Sequence, residues 1–133
     1  MNKRVSETNK RSIWQAGSFE KSLRNALQGI CQFFRHERNG RLQVLIAFFV
    51  FLAGILLSIS IVEWLVIILF TSLVISMEMF NSALEKLCDK INPEWDPEIK
   101  VIKDMAAGAV LWTSLLSIVA GLCIFIPKII ELL

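Results

Sequence analysis

Charge is missing from two long stretches of this 133-residue sequence. Neither Leu42 to Val62 (21 residues) nor Met105 to Pro127 (23 residues) contains an Asp, Glu, Lys or Arg. Each is long enough to cross roughly 30 Å of hydrocarbon as a helix. Histidine occurs once, at His36, and the three cysteines Cys31, Cys88 and Cys123 are far apart with no CxxC. That excludes a zinc constellation and points to free thiols in a reduced compartment. No GxxxxGK[ST] and no GxGxxG is present, so a soluble nucleotide-binding fold is excluded. The first apolar run begins only at residue 42 and no small-residue cleavage pattern follows it, so no signal peptide is expected. Internal repeats and low-complexity tracts are also missing.

What is there is membrane-like: 55% of residues are hydrophobic and the mean hydropathy is +0.59. Between the two uncharged runs lies a third, Trp64 to Met77, of 14 residues. As helix it measures about 21 Å, too short to cross alone. It spans only if the helix runs on past Glu78 to about Leu84; a short buried helix is the alternative. The expected fold is an all-α membrane protein, with an N-terminal amphipathic surface helix and three transmembrane helices. Residues 1–17 read as a polar, basic, disordered tail. A surface helix is expected over 18–36, with Ser18 as its N-cap. The spans are expected over about 42–57, 62–84 and 100–127.

The surface helix follows from periodicity. Phe19, Leu23, Ala26, Leu27, Ile30, Phe33 and Phe34 recur every three or four residues. Lys21, Arg24, Asn25, Gln28, Gln32 and Arg35 lie mostly opposite them. An amphipathic helix with a basic face lies flat on an anionic membrane surface. His36 to Arg41 reads as a polar elbow, Ser58 to Val62 as a tight turn, and Trp64 as an aromatic anchor at the interface. Asn92-Pro93 signals a turn, and Pro97 reads as a second breaker before span three. Of the 14 Lys and Arg residues, nine precede Leu42, four (Lys86, Lys90, Lys100, Lys103) lie between spans two and three, and Lys128 lies at the far end. The positive-inside rule puts the N-terminus and the second loop in the cytoplasm.

Glu78, Asn81, Glu85 and Asp89 are spaced by 3, 4 and 4 residues, which places them on one helical stripe. The stripe starts inside span two and runs out of it. A charged side chain at bilayer depth costs on the order of 2.5–3.5 kcal/mol by insertion scales, so it is rarely idle. Glu85 and Asp89 near water, with Glu37 from the elbow, can hold a hard cation such as Mg²⁺. Lys103 can neutralise phosphate charge. Glu78 sits deeper, within reach only of a lipid-borne group, and suits a general base. Metal, cation and positioned base are the parts phosphoryl transfer needs. Each has a bland rival. Glu85 and Asp89 read equally as a solvated helix end with Lys86 and Lys90, Glu37 as a surface charge paired with Arg41, and Lys103 as a topology anchor. Trp112 and the span-one phenylalanines read as lipid-facing. The run Ala106-Ala107-Gly108-Ala109 allows close approach of another backbone.

Glu78-Met-Phe-Asn81-Ser82-Ala83-Leu84-Glu85-Lys-Leu-Cys-Asp89 resembles the E-x-x-N-[ST]-A-[IL]-E-x-x-x-D signature of the prokaryotic diacylglycerol kinase family, which includes undecaprenol kinases. Lys103-Asp104-Met-Ala-Ala-Gly-Ala-Val-Leu resembles the family's K-D-x-x-x-x-A-V-L block. Glu37-Arg38-Asn39-x-Arg41 resembles the elbow motif of its undecaprenol kinase branch, and Ser22 to Gly29 resembles the end of its surface helix. The resemblance extends over about Phe19 to Pro127. It implies a lipid kinase of the bacterial inner membrane that uses MgATP as a homotrimer and does not bind nucleic acid. By position, it implies that Glu78 is the base on the lipid hydroxyl and that Asn81 orients base or substrate. Glu37 and Glu85 would bind metal and ATP, and Lys103 and Asp104 would engage the nucleotide phosphates. Glu94-Trp95-Asp96 matches a nucleotide-contacting stretch that usually reads Glu-Tyr-His; Trp keeps a stacking face, and Asp for His changes the charge. Asn25 stands where the family usually has a Tyr that meets the nucleotide. The resemblance also implies that Ala107 would lie beside the lipid substrate.

The function read from these residues is transfer of the γ-phosphate of ATP to a lipid alcohol, diacylglycerol or undecaprenol. The competing class is a non-enzymatic membrane scaffold or cation-binding subunit, which would tolerate loss of the stripe. A transporter fragment fits less well, because the repeated halves and broken helices of such proteins are missing.

Overall fold

The computed structural model describes residues 19–132. The basic tail and the Ser18 cap lie outside the described residues. Among the described residues there are four helices: α1 (Phe19–His36), α2 (Arg38–Leu56), α3 (Ile61–Ile91) and α4 (Pro97–Ile130). The last three are each long and apolar enough to cross a membrane.

Helix α1 forms a unit of its own, separate from that of α2, α3 and α4. It realises the 3–4 periodicity as 18 continuous helical residues. Phe19, Leu23, Leu27 and Ile30 on its apolar stripe are all exposed. Phe33 and Phe34 close the stripe, their rings edge-on with centroids 5.0 Å apart.

The elbow expected over six residues shrinks to one. Only Glu37 is extended (φ −89°, ψ 121°), and α2 is already helical at Arg38. Arg38, Asn39, Gly40 and Arg41 therefore form the first turn of α2. Polarity suggested a loop, but a single non-helical residue suffices to separate two helices.

At its far end α2 stops in a six-residue wrap. Leu57 N–H reaches Ala53 C=O (2.9 Å), Ser58 N–H reaches Ile55 (3.2 Å) and Ile59 N–H reaches Gly54 (3.2 Å). Ser58 takes the left-handed conformation (φ 50°) that this motif needs just past the last helical residue. Ser60 then caps α3. Its hydroxyl accepts from Glu63 N–H (3.3 Å) while the Glu63 carboxylate accepts from Ser60 N–H (2.6 Å). Each side chain satisfies a backbone donor the helix leaves open. The small core lies at this end: Ile59, Ile67 and Ile124 are buried, with Val50, Phe51 and Trp64 packed against them. Trp64 is thus not a purely interfacial anchor. Its ring stacks at a tilt on Phe51 (centroids 5.4 Å) and lies over Gly54, where an added Cβ would come within 2.9 Å of the indole. Phe48, Phe49 and Trp112 are exposed, as a lipid-facing reading requires, whereas Phe51, expected to face lipid with them, packs into this core.

Helix α3 runs unbroken for 31 residues, so the expected wet extension of span two exists and reaches Ile91. At 1.5 Å per residue it is about 46 Å long, half as long again as the hydrocarbon it would cross. The loop before α4 covers only 92–96. Asn92 Oδ1 accepts from Glu94 N–H (3.1 Å). Asp96 Oδ1 accepts from Glu98 and Ile99 N–H (2.8 and 3.1 Å). Pro97, expected as a breaker, instead opens α4 at the position where its missing N–H costs nothing. Pro127 lies inside α4 rather than at its end. Helix α4 packs mainly along α3.

Candidate functional site

The polar stripe of α3 faces inward at Glu78 and Asn81 and opens to the surface toward Asp89. Glu78, Asn81, Ser82 and Cys88 are all buried, and Glu85 is half-buried. Glu78 is only 5% exposed, the lowest value for any acidic side chain described. An isolated carboxylate at that burial would be costly, so its partners decide whether it is tolerated. Both come from the first two turns of α2. Asn39 Nδ2 donates to Glu78 Oε1 at 2.9 Å, and Gln43 Nε2 donates to Oε2 at 3.4 Å. Both of these partners are neutral amides.

One turn along α3, Asn81 Nδ2 donates to Glu85 Oε1 at 3.0 Å. Its own Oδ1 is buried without a partner, as is Gln43 Oε1. These are unused hard-oxygen acceptors beside the two carboxylates of the stripe. Further toward the end of α3, Lys86 Nζ meets Glu37 Oε1 at 2.6 Å. So the Glu37 carboxylate reaches the solvent-facing side of α3 through Lys86, a partner that sequence did not suggest. Asp89, 66% exposed, takes Lys103 Nζ at 2.7 Å. Asp104 is paired along α4 with Lys100 at 2.6 Å. Exposed pairs such as these contribute little to stability. They do collect Glu37, Glu85, Lys86, Asp89, Lys103 and Asp104 at one end of the three long helices.

The residues expected from sequence therefore separate into groups. Glu78, Asn81 and Glu85 share the buried face of α3, and Glu37 reaches the same helix through Lys86. Lys103 of α4 meets Asp89, while Asp104 is turned to Lys100 of its own helix. Glu94 and Trp95 are exposed in the α3–α4 loop, whereas an Asp96 oxygen is committed to capping α4. Ala107 is exposed on α4. Asn25 is exposed on α1, in the other unit. Among the described residues no group of three or more His, Cys, Asp or Glu is close enough to hold a metal by itself. Mg²⁺ does not need one: it takes one or two carboxylates and completes its shell with water and phosphate oxygens. Glu37, Glu85 and the unpartnered Asn81 Oδ1 supply oxygen donors of that kind.

Sequence reading overlooked Gln43. Its signal was available: a lone amide in an uncharged span, four residues after Asn39 and so on the same face of α2. Gln43 also lines a cavity of ≈ 390 Å³ among α2, α3 and α4, walled largely by apolar residues such as Ile67, Phe70, Val74 and Phe125. The site thus joins three environments: an aqueous rim of opposite charges, a buried carboxylate with amide partners, and an apolar cleft.

Comparison with known proteins bears on this arrangement. Residues 24–125 match the family described as Prokaryotic diacylglycerol kinase. The chain is 39% identical over 111 residues to an undecaprenol kinase of Bacillus subtilis (strain 168), covering 84% of this chain and 90% of that protein. It is 30% identical over 126 residues to a diacylglycerol kinase of Synechocystis sp. (strain ATCC 27184 / PCC 6803 / Kazusa), covering 93% of this chain and 72% of that protein.

Proposed function

The chain belongs to the prokaryotic diacylglycerol kinase family and is a membrane lipid kinase; on that premise we propose that it phosphorylates undecaprenol, with Glu78 as the general base. The relative covered over 90% of its length carries that activity in its name. The observation that carries the mechanism is the buried Glu78 carboxylate on an apolar helix, bonded by two side-chain amides. Family membership disfavours the scaffold alternative.

In this reading the lipid's primary alcohol lies at the membrane interface beside Glu78. The alcohol oxygen attacks the γ-phosphorus of ATP. The new O–P bond forms as the bond to the bridging oxygen of ADP breaks, and the alcohol proton goes to a Glu78 oxygen. The products are ADP and the lipid monophosphate. Glu37 and Glu85 would hold Mg²⁺, with Asn81 Oδ1 available as a further oxygen donor, and the chemistry it would supply there is neutralisation of phosphate charge. Asn81 keeps Glu85 aimed. Lys103, released from Asp89, and Asp104 engage the phosphate region, and Glu94 and Trp95 flank the nucleotide. The N-terminus and the α3–α4 loop face the cytoplasm of a bacterial inner membrane, where ATP is, in keeping with the excess of basic residues there.

The test is transfer of labelled phosphate from ATP to undecaprenol and to diacylglycerol, side by side in lipid bilayers. A higher kcat/KM on undecaprenol is expected. Faster transfer to diacylglycerol would move the acceptor to the other activity of the family, and transfer to neither would overturn the kinase reading of this chain. Glu78→Gln is expected to abolish turnover while leaving assembly intact; near-normal turnover would remove the base assignment.

A further inference from the structure

Glu78 meets α2 through two side chains at the spacing of one helical turn. Asn39 and Gln43 are four residues apart, so their amides project from the same face and reach separate carboxylate oxygens, at 2.9 and 3.4 Å. A carboxylate has about four lone-pair directions, so two donors leave room for an incoming hydroxyl. They also remove the carboxylate's freedom to rotate. Neither donor carries charge, so neither competes with the phosphoryl group for the lipid oxygen or draws a second anion into the site. Gln43 also lines the apolar cleft, so the residue that holds the carboxylate borders the cleft as well. Its own carbonyl oxygen is buried and has no hydrogen-bond donor among the described residues to pull the amide away.

We propose that Asn39 and Gln43 are positioning residues: a two-amide clamp that aims the Glu78 carboxylate at the lipid hydroxyl. The inference rests on the reading of Glu78 as the base. Asn39 is the stronger arm, because its contact is shorter. A clamp acts on the orientation of the base in the transition state and leaves nucleotide binding alone, so its loss falls on kcat rather than on KM for ATP.

The isosteric acids separate aim from packing. Asn39→Asp and Gln43→Glu keep shape and volume but turn an N–H donor into a carboxylate facing Glu78. Asn39→Ala removes the side chain without adding charge. The full chain, reconstituted in bilayers, is assayed for kcat, for KM of ATP, and for nucleotide binding in the absence of turnover. Asn39→Asp is expected to lose more activity than Asn39→Ala, with kcat down about tenfold or more and nucleotide binding unchanged. Gln43→Glu should show the same pattern more weakly. The swapped pair Asn39→Asp with Glu78→Gln restores an amide–carboxylate contact. It should recover the thermal stability lost in Asn39→Asp alone while staying inactive. Wild-type turnover in Asn39→Asp, an Asp variant as active as or more active than the Ala variant, or loss confined to KM for ATP would overturn the clamp. An active Glu78→Gln protein would instead overturn the base reading on which it rests, so the two failures are distinct.

Discussion

Glu78 and Glu85 lie two turns apart on α3, about 10 Å along its axis, and their surroundings suit different chemistry. Glu78 is enclosed and bonded by two amides; Glu85 is half-open, beside Asn81 and next to the Lys86–Glu37 pair. A residue that binds metal should respond to metal concentration, and a base should not. Glu85→Gln is therefore expected to raise the Mg²⁺ concentration needed for half-maximal turnover, or to stop turnover outright. An unchanged Mg²⁺ titration would remove Glu85 from the ligand set. Sequence made Glu78 conspicuous because a carboxylate within an apolar run has few inert explanations. Gln43 was easier to pass over for the converse reason: an uncharged amide barely disturbs hydropathy, and only the helix facing it reveals what it holds. Lys86 was likewise readable only as a solvated lysine until α2 brought Glu37 to it.

At the level of elements, the helices were legible and their ends less so. Span lengths follow from uncharged runs and the thickness of hydrocarbon, which is why three long helices were expected and found. Polarity blurred the boundaries, because Arg38 to Arg41 looked like a loop yet form a helical turn. Pro97 was ambiguous because proline both ends helices and begins them; the Asp96 cap preceding it decides for beginning. The α2–α3 junction is where packing is tightest. Gly54 lies under the Trp64 indole, with Ile59 Cδ1 also 3.0 Å from where a Cβ would stand. A rigid ring cannot yield as a flexible chain would. Gly54→Val is expected to destabilise the protein by roughly 1–3 kcal/mol, read as a lower midpoint in thermal denaturation in detergent. An unshifted midpoint would mean that this junction can open without cost.

For the whole molecule, the informative fact is how little is covered. No large side chain among the described residues is fully enclosed, and most large apolar residues of α2, α3 and α4 are exposed. In water that would be untenable; in lipid it is ordinary, since hydrocarbon solvates such faces as well as protein does. The exposed small-residue run Ala107-Gly108-Ala109 on α4 offers a face where another backbone can come close. Self-association as a homotrimer, proposed from family membership, would use such faces. Crosslinking in bilayers is expected to trap species up to the trimer, and trapping of monomers alone would end that proposal.

The order of apolar and charged segments was enough to determine an all-helical membrane protein with three spans, because backbone groups in hydrocarbon must bond within their own segment. Motif spacing also marked the acidic face of α3. What only the tertiary structure decided is which partners those acids have: amides of α2 for Glu78, Lys86 for Glu37, Lys103 for Asp89. These contacts join residues 14 to 49 positions apart. Helical periodicity fixes which way a side chain points, but the neighbour it meets depends on how two helices are set against each other.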